Sequence, residues 1–192
     1  MKQAVLLAAF IAVVSTSFAN PCPNDHEVKI YNDTSFMKTI NIHGMLEEII
    51  NATGLQQNFE LKQSDVMNIE ASISHRKRYI LYNPTFIATI NDLTKDKWAV
   101  MALLAHEVGH HLNGHTIRKG GSTPELELQA DEFAGFILHK LGATLKQSQN
   151  VMYYIAKEKK SSTHPGKASR LSAIEKGWNN ASGLGIHDTA KQ

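Results

Sequence analysis

Apolar residues recur at helical spacing in most of the chain and alternate with polar residues in three short stretches. The helical spacing predicts helices over about Ser35–Ala52, 95–114, 124–141, 145–157 and 167–179, and a short helix that starts at Asn83-Pro84 and ends at a break over 91–94. The alternation predicts strands over 58–63, 67–74 and 77–82, the last two forming a hairpin around His75-Arg76. These elements predict an α+β fold, mostly helical, with a small sheet beside helix 95–114.

The start of the chain has the pattern of a secretory signal peptide over residues 1–19. Lys2 precedes an apolar core, and Ser17 and Ala19 are the small residues expected before a cleavage site. The apolar core is shorter than the ~20 residues that span a bilayer, and no other stretch is long or apolar enough to do so. We expect a secreted, periplasmic or extracellular, soluble protein with a loose leader over 20–33, one domain over 34–180 and a mobile tail over 181–192.

Charge and cysteine content exclude several classes of function. The formal net charge of +2 falls to +1 without Lys2, so no basic surface indicates a nucleic-acid partner. Removal of 19 of the 192 residues leaves 173, which is enough for one hydrophobic core. Cys22 is the single cysteine, so no intramolecular disulfide supports the fold.

Candidate chemistry lies in the sequence His106-Glu107-Val108-Gly109-His110, which reads H-E-x-x-H. Residues four apart share one face of a helix, so both imidazoles can reach one metal ion. Zinc lowers the pKa of a bound water towards ~7, and Glu107 can take its proton and pass it to a leaving amine. The motif predicts zinc-dependent hydrolysis of a peptide bond.

A catalytic zinc needs a third protein ligand and an open fourth position. Glu127 and Asp131 lie four apart on the next predicted helix. Glu127 is the candidate ligand, and Asp131 can accept a hydrogen bond from the outer nitrogen of a liganding histidine. The alternative is that both belong to the charged outer face of an amphipathic helix. His111 and His115 are interpreted as structural histidines and not as ligands.

The pattern His106-Glu107-x-x-His110, followed by Glu127-x-x-Ala130-Asp131, resembles the M48 family of zinc metallopeptidases, which contains Ste24-like and HtpX-like enzymes. The Gly114-His115 pair and a late His164-Pro165 followed by Arg170 also fit. The resemblance covers about Ile69 to Trp178, but the membrane helices of the best-known members are lacking. It therefore indicates a small soluble exported member with a zincin-like domain.

That resemblance implies one Zn²⁺ per chain, held by His106, His110 and Glu127, with Glu107 as general base and acid. It also implies active-site roles for Asp131, His164 and Arg170, the last two as catalytic residues. His164 and Arg170 could stabilise charge on the carbonyl oxygen from one wall of the cleft.

Two alternatives remain open for this pair of residues. His164 could occupy the fourth position on zinc and keep the enzyme latent. Otherwise it is a surface histidine, and Arg170 pairs with a carboxylate such as Glu175.

The predicted substrates are extended or unfolded polypeptides, because strand 67–74 would pair with a peptide main chain as an edge strand does in M48-like folds. That strand could instead only cover the core. An alternative function is a chaperone-like or latent zinc-site protein that binds polypeptide and rarely cleaves it. A zinc hydrolase acting on a non-peptide amide fits the pattern of Glu127, Asp131, His164 and Arg170 less well.

Overall fold

A computed structural model of the protein describes residues 40–118 and 121–183. The helices are α1 (Ile42–Thr53), α2 (Pro84–Thr94), α3 (Lys97–Leu112), α4 (Pro124–Lys140), α5 (Leu145–Gln149), α6 (Met152–Ile155) and α7 (Lys167–Ala181), with a 3₁₀ turn at His115–Ile117. The strands are β1 (Glu60–Gln63), β2 (Ile69–Ser74) and β3 (Lys77–Tyr82). The predicted α+β class is confirmed. None of the helices in these two ranges has the length and apolar composition needed to cross a membrane.

The sheet has the order β1-β3-β2, so β2 lies at one edge. β3 pairs in parallel with β1 and in antiparallel with β2, with Ile69 opposite Tyr82 and Ser74 opposite Lys77. His75 and Arg76 close the hairpin with φ angles of 49° and 63°. Two central residues with positive φ suit a two-residue hairpin turn, because their twist matches that of the strands. The predicted hairpin is confirmed.

Helix α3 is buried along almost its whole length, from Ala99 to His111. Its apolar residues pack into one core with α1, α2, α4 and the sheet. His111 joins the helix to the sheet, since its Nε2 donates to the Tyr79 carbonyl at 2.9 Å and its ring stacks on Phe59 at 4.9 Å. This contact confirms the structural interpretation of His111, and it fixes the height of α3 against β3.

Helices α3 and α4 run in opposite directions and approach closely at Gly109. A Cβ atom built on Gly109 would lie 3.2 Å from the Cα of Ala130 and 3.1 Å from the Phe133 ring. A larger side chain would therefore push the two backbones apart. Because Gly109 has no side chain, the two helices come close together. The polar residues next to this contact, on the facing surfaces of α3 and α4, can therefore approach one another.

Helices α4 and α7 run in the same direction in a regular register. Three contacts step along both helices at the same interval, with partners 39 residues apart: Asp131 with Arg170, Gly135 with Ile174, and His139 with Trp178. A Cβ on Gly135 would lie 2.0 Å from the Ile174 carbonyl oxygen, so only glycine permits this approach. The packing brings the N-terminal part of α7 beside the middle of α4.

Several predicted boundaries differ from the structure. Residues 40 and 41 are not helical, and Asn41 caps α1, so the helix does not run continuously from Ser35. Helix α2 continues through the predicted break to Thr94. The single helix predicted over 145–157 is two short helices, and α7 includes Ala181, which was assigned to the tail.

Other predictions lie outside the described residues. They are the signal peptide, the leader over 20–33, Cys22, the first residues of the predicted domain and the tail from 184 onward.

Candidate metal centre

Three buried side chains converge between α3 and α4. The Nε2 atoms of His106 and His110 lie 3.1 Å apart, and carboxylate oxygens of Glu127 lie 3.4 Å and 3.5 Å from them. One ligand atom from each of the three residues lies within 4.8 Å of the other two. Around a tetrahedral zinc with bonds of about 2.0–2.1 Å, neighbouring ligand atoms are separated by roughly 3.3 Å. The three side chains could therefore hold one metal ion.

The orientation of the His106 ring supports the same interpretation. Its Nδ1 lies 2.8 Å from Oδ1 of Asp131, which as a carboxylate only accepts, so Nδ1 carries a proton, and in the neutral ring Nε2 is the nitrogen that keeps a lone pair for a metal ion. That lone pair faces His110 and Glu127 in a region where all three residues are less than 10% exposed. Electron pairs facing one another at this range repel unless a proton or a metal cation lies between them.

Asp131 has no exposed surface and connects α3 to α7. Besides its bond to His106, it accepts two hydrogen bonds of 2.7 Å from Arg170, one from Nε to Oδ2 and one from Nη2 to Oδ1. This bidentate pairing is the strong, geometrically specific form of a charge-assisted bond. Asp131 thus holds the ring of His106 on the side away from the cluster, while Arg170 balances the negative charge of Asp131.

The other two candidate ligands also have outer partners. The hydroxyl of Ser122, which lies just ahead of α4, donates to Oε1 of Glu127 and holds the carboxylate in place. The Nδ1 of His110 lies 3.0 Å from the Nδ1 of His115, and the Nε2 of His115 lies 3.0 Å from Oε1 of Gln129. From the sequence, His115 is interpreted as a structural histidine and not as a ligand, although the Gly114-His115 pair is part of the M48 resemblance.

The contact with His115 depends on a sharp turn after α3. Gly114, with φ of 69°, turns the chain back towards the site. The Gly114-His115 pair, which follows the candidate ligand His110 and is part of the M48 resemblance, is the sequence signal that could have indicated this contact.

The electrostatics of the cluster favour a positive charge. Burial lowers the pKa of His106, but the charge and hydrogen bond of Asp131 outweigh the effect of burial. Together with Glu127, they raise the pKa of His106 to about 10. Burial and the neighbouring charge of His106 lower the pKa of His110 to about 3. Although burial opposes it, the pKa of Glu127 lies below its usual value because of its contacts with both imidazoles. One positive charge thus fits among these residues, as a metal ion there would require.

Glu107 lies next to this cluster and contacts the edge of the sheet. Its Oε2 accepts a 2.7 Å hydrogen bond from the backbone N–H of Ala71 in β2. Burial raises the pKa of Glu107 to about 8, the charge of Glu127 adds to the rise, and that of His106 opposes it. A cation beside a carboxylate favours the ionised form, so an ion at the cluster would lower the pKa of Glu107.

His164 and Arg170 occupy different positions around the cluster. His164 is partly buried in the loop before α7, within hydrogen-bonding distance of the Thr163 hydroxyl at 2.8 Å. Burial lowers its pKa, and the charges of Glu127 and Arg170 also act on it, so it lies within electrostatic range of the cluster. Arg170 was expected on the cleft wall or on Glu175, but it pairs with Asp131 behind His106. The structure favours a positioning role for Arg170.

The chain matches no family model, no curated protein and no solved structure. The M48 resemblance therefore stays a prediction that rests on the sequence pattern.

The Asp131–Arg170 pair yields a prediction about stability. Arg170→Ala leaves a fully buried carboxylate without its main counter-charge, which typically costs about 3–5 kcal/mol. Arg170→Lys should fall between the wild type and Arg170→Ala, because an ammonium keeps the charge but not the bidentate geometry. The measurement is the free energy of unfolding in urea.

Lys176→Ala is the matched control for this prediction. Lys176 is on the same helix and forms an exposed ion pair with Glu132, so its loss should cost less than about 1 kcal/mol. If Arg170→Ala were as stable as this control, the assigned role of the buried pair would be wrong.

Proposed function

We propose that the protein is an exported zinc endopeptidase of the M48 type, with a zincin-like fold. The observation that carries the proposal is the convergence of His106, His110 and Glu127 on one point, with Glu107 beside them and hydrogen-bonded to an edge strand. Two imidazoles, one carboxylate and a free fourth position are the ligand set of catalytic zinc sites in metalloproteases. Structural zinc sites are closed by four protein ligands, and the described residues supply three.

Different residues would have different roles in hydrolysis. Zinc at this position would supply Lewis acidity, polarising the substrate carbonyl and acidifying a water molecule. Glu107 would accept a proton from that water as its oxygen attacks the carbonyl carbon, and would return the proton to the amine nitrogen as the C–N bond breaks. Because the Ala71 N–H holds Oε2, Oε1 is the oxygen that exchanges the proton. Asp131 and Arg170 keep the His106 ring in the tautomer that binds metal.

The edge strand supports extended polypeptide as the substrate. Since the Ala71 N–H points to Glu107, it faces away from β3 and towards the open side of β2. Alternation along an antiparallel strand puts the main-chain groups of Ile69 and Ile73 on the same side. A peptide lying along this edge could form main-chain hydrogen bonds within reach of the catalytic base, as in β-augmentation. Folded segments lack free main-chain groups for such pairing.

Two exposed apolar side chains near β2 support the same substrate class. Met67 is 55% exposed just before the strand, and Ile117 is 72% exposed in the 3₁₀ turn that contacts it. Apolar side chains of an unfolded polypeptide would bury against them. Because residues 1–19 have the pattern of a signal peptide, we propose that the substrates are unfolded segments of other exported proteins.

Loss of any ligand should abolish tight metal binding. His106→Ala, His110→Ala and Glu127→Ala should each weaken zinc by more than the roughly 10–100-fold that is typical of losing an outer partner. The measurement is zinc content by mass spectrometry together with competition against a chelator; the wild type should hold one zinc per chain. Glu125→Ala is the control, because Glu125 is exposed on the same helical turn. Full affinity in Glu127→Ala would show that the third ligand is wrong.

Glu107→Gln should separate binding from catalysis. The amide can still accept the Ala71 N–H but cannot take the proton of water, so cleavage of casein should fall by about 10²–10⁴-fold. Zinc content and the midpoint of thermal unfolding should stay close to those of the wild type. Turnover at the wild-type rate would contradict the mechanism, and a wild type that binds casein without cleaving it would favour the chaperone-like alternative.

His164 is proposed to donate a hydrogen bond to the carbonyl oxygen as negative charge builds there. Removal of one such donor typically lowers kcat by about 10²–10³-fold, so His164→Ala should bind zinc normally and cleave casein slowly. His139→Ala is the control, because His139 lies near the C-terminal end of α4, where it packs on Trp178 of α7. A rise in activity would show that His164 restrains the site, and unchanged kinetics would exclude both roles.

A further inference from the structure

His110 and His106 are held from behind by different chemical groups. His106 meets the carboxylate of Asp131, whereas His110 meets a second imidazole, that of His115, with Gln129 behind it. His115 is 6% exposed, and its ring lies 5.1 Å from that of His110 in an edge-on arrangement. The three side chains form a continuous hydrogen-bonded line from the candidate metal ligand to the surface, where Gln129 is exposed.

The positions of the protons along this line can be derived from Gln129, the residue at its outer end. The Oε1 of Gln129 only accepts, so the Nε2 of His115 carries a proton and donates to it. A neutral His115 then has a bare Nδ1, which accepts from the Nδ1–H of His110. With its proton on Nδ1, His110 keeps a lone pair on Nε2, the atom that faces His106 and Glu127.

We propose that His115, oriented by Gln129, is a positioning residue that fixes His110 in its metal-binding tautomer. The inference rests on the proposed zinc site and extends it, because neither the H-E-x-x-H pattern nor the Glu127–Asp131 pair contains His115. Its contribution acts through His110, since its own Nδ1 is engaged on the outer side of that ring.

The contrast with His111 separates this role from ordinary packing. Both histidines are buried, but the Nε2 of His111 donates to the Tyr79 carbonyl and its Nδ1 lies 3.3 Å from the Thr116 hydroxyl. None of those partners belongs to the candidate metal centre. The Nδ1 of His115, in contrast, forms its hydrogen bond with a candidate metal ligand, His110.

The geometry of amide side chains provides a sharp test. The Oδ1 of asparagine occupies the place of the histidine Nδ1, whereas the Oε1 of glutamine occupies the place of Nε2. His115→Asn can therefore still accept from His110, and His115→Gln and His115→Leu cannot. Outer partners of metal-bound histidines typically contribute 10–100-fold to affinity. We expect His115→Leu and His115→Gln to weaken zinc by about that factor, and His115→Asn to retain most of the wild-type affinity.

The experiment measures zinc dissociation constants of the full purified chain by chelator competition at one pH. His139→Leu serves as the control for loss of a partly buried imidazole outside the cluster and should bind zinc as the wild type does. Wild-type affinity in His115→Leu would overturn the proposal. So would equal losses in His115→Asn and His115→Leu, which would show that the ring acts only by packing.

Gln129→Leu keeps the proposal testable if the His115 variants fail to fold, because Gln129 is exposed. A weakened affinity there supports the proposal, and an unchanged affinity contradicts it. Failure of the zinc site itself is distinguishable from these outcomes, because the wild type would then bind no zinc and cleave no casein.

Discussion

The structure depends on the burial of one carboxylate, that of Asp131. With no exposed surface, it must be paired, because an isolated buried charge is far more costly than a buried ion pair. Its partners come from two other helices, His106 on α3 and Arg170 on α7. The same contact therefore packs three helices together and orients the first candidate ligand. Stability and the proposed metal binding are coupled at this point, so residues far apart in sequence act as one unit.

Glycine makes this arrangement sterically possible. Gly109 lets α3 approach α4, and Gly135 lets α4 approach α7 at the level of the backbone. The close approach brings the polar side chains of the three helices within hydrogen-bonding distance of one another. The opposite side of α3 faces the sheet, where His111 fixes its height and Ala71 meets Glu107. The candidate base is consequently held by the same strand edge that we propose as the place where substrate binds.

The sequence predicted the α+β class, the hairpin, the two helices of the cluster and the convergence of His106, His110 and Glu127, because these depend on local periodicity and on i, i+4 spacing. It did not predict the partner of Arg170, since the register of α4 against α7 is set by non-local glycine contacts. It interpreted His115 as a structural histidine and did not predict its contact with His110, which depends on the turn at Gly114. It also did not predict the division of residues 145–157 into two helices, at Asn150 and Val151.

We propose that one zinc ion binds between α3 and α4 to two imidazoles and one carboxylate. Anomalous X-ray scattering from crystals of the zinc-loaded protein, collected above and below the zinc absorption edge, tests it directly. We expect a single zinc peak about 2.0–2.2 Å from the Nε2 atoms of His106 and His110 and from an oxygen of Glu127. A peak elsewhere, a peak coordinated without Glu127, or no zinc peak at all would contradict it.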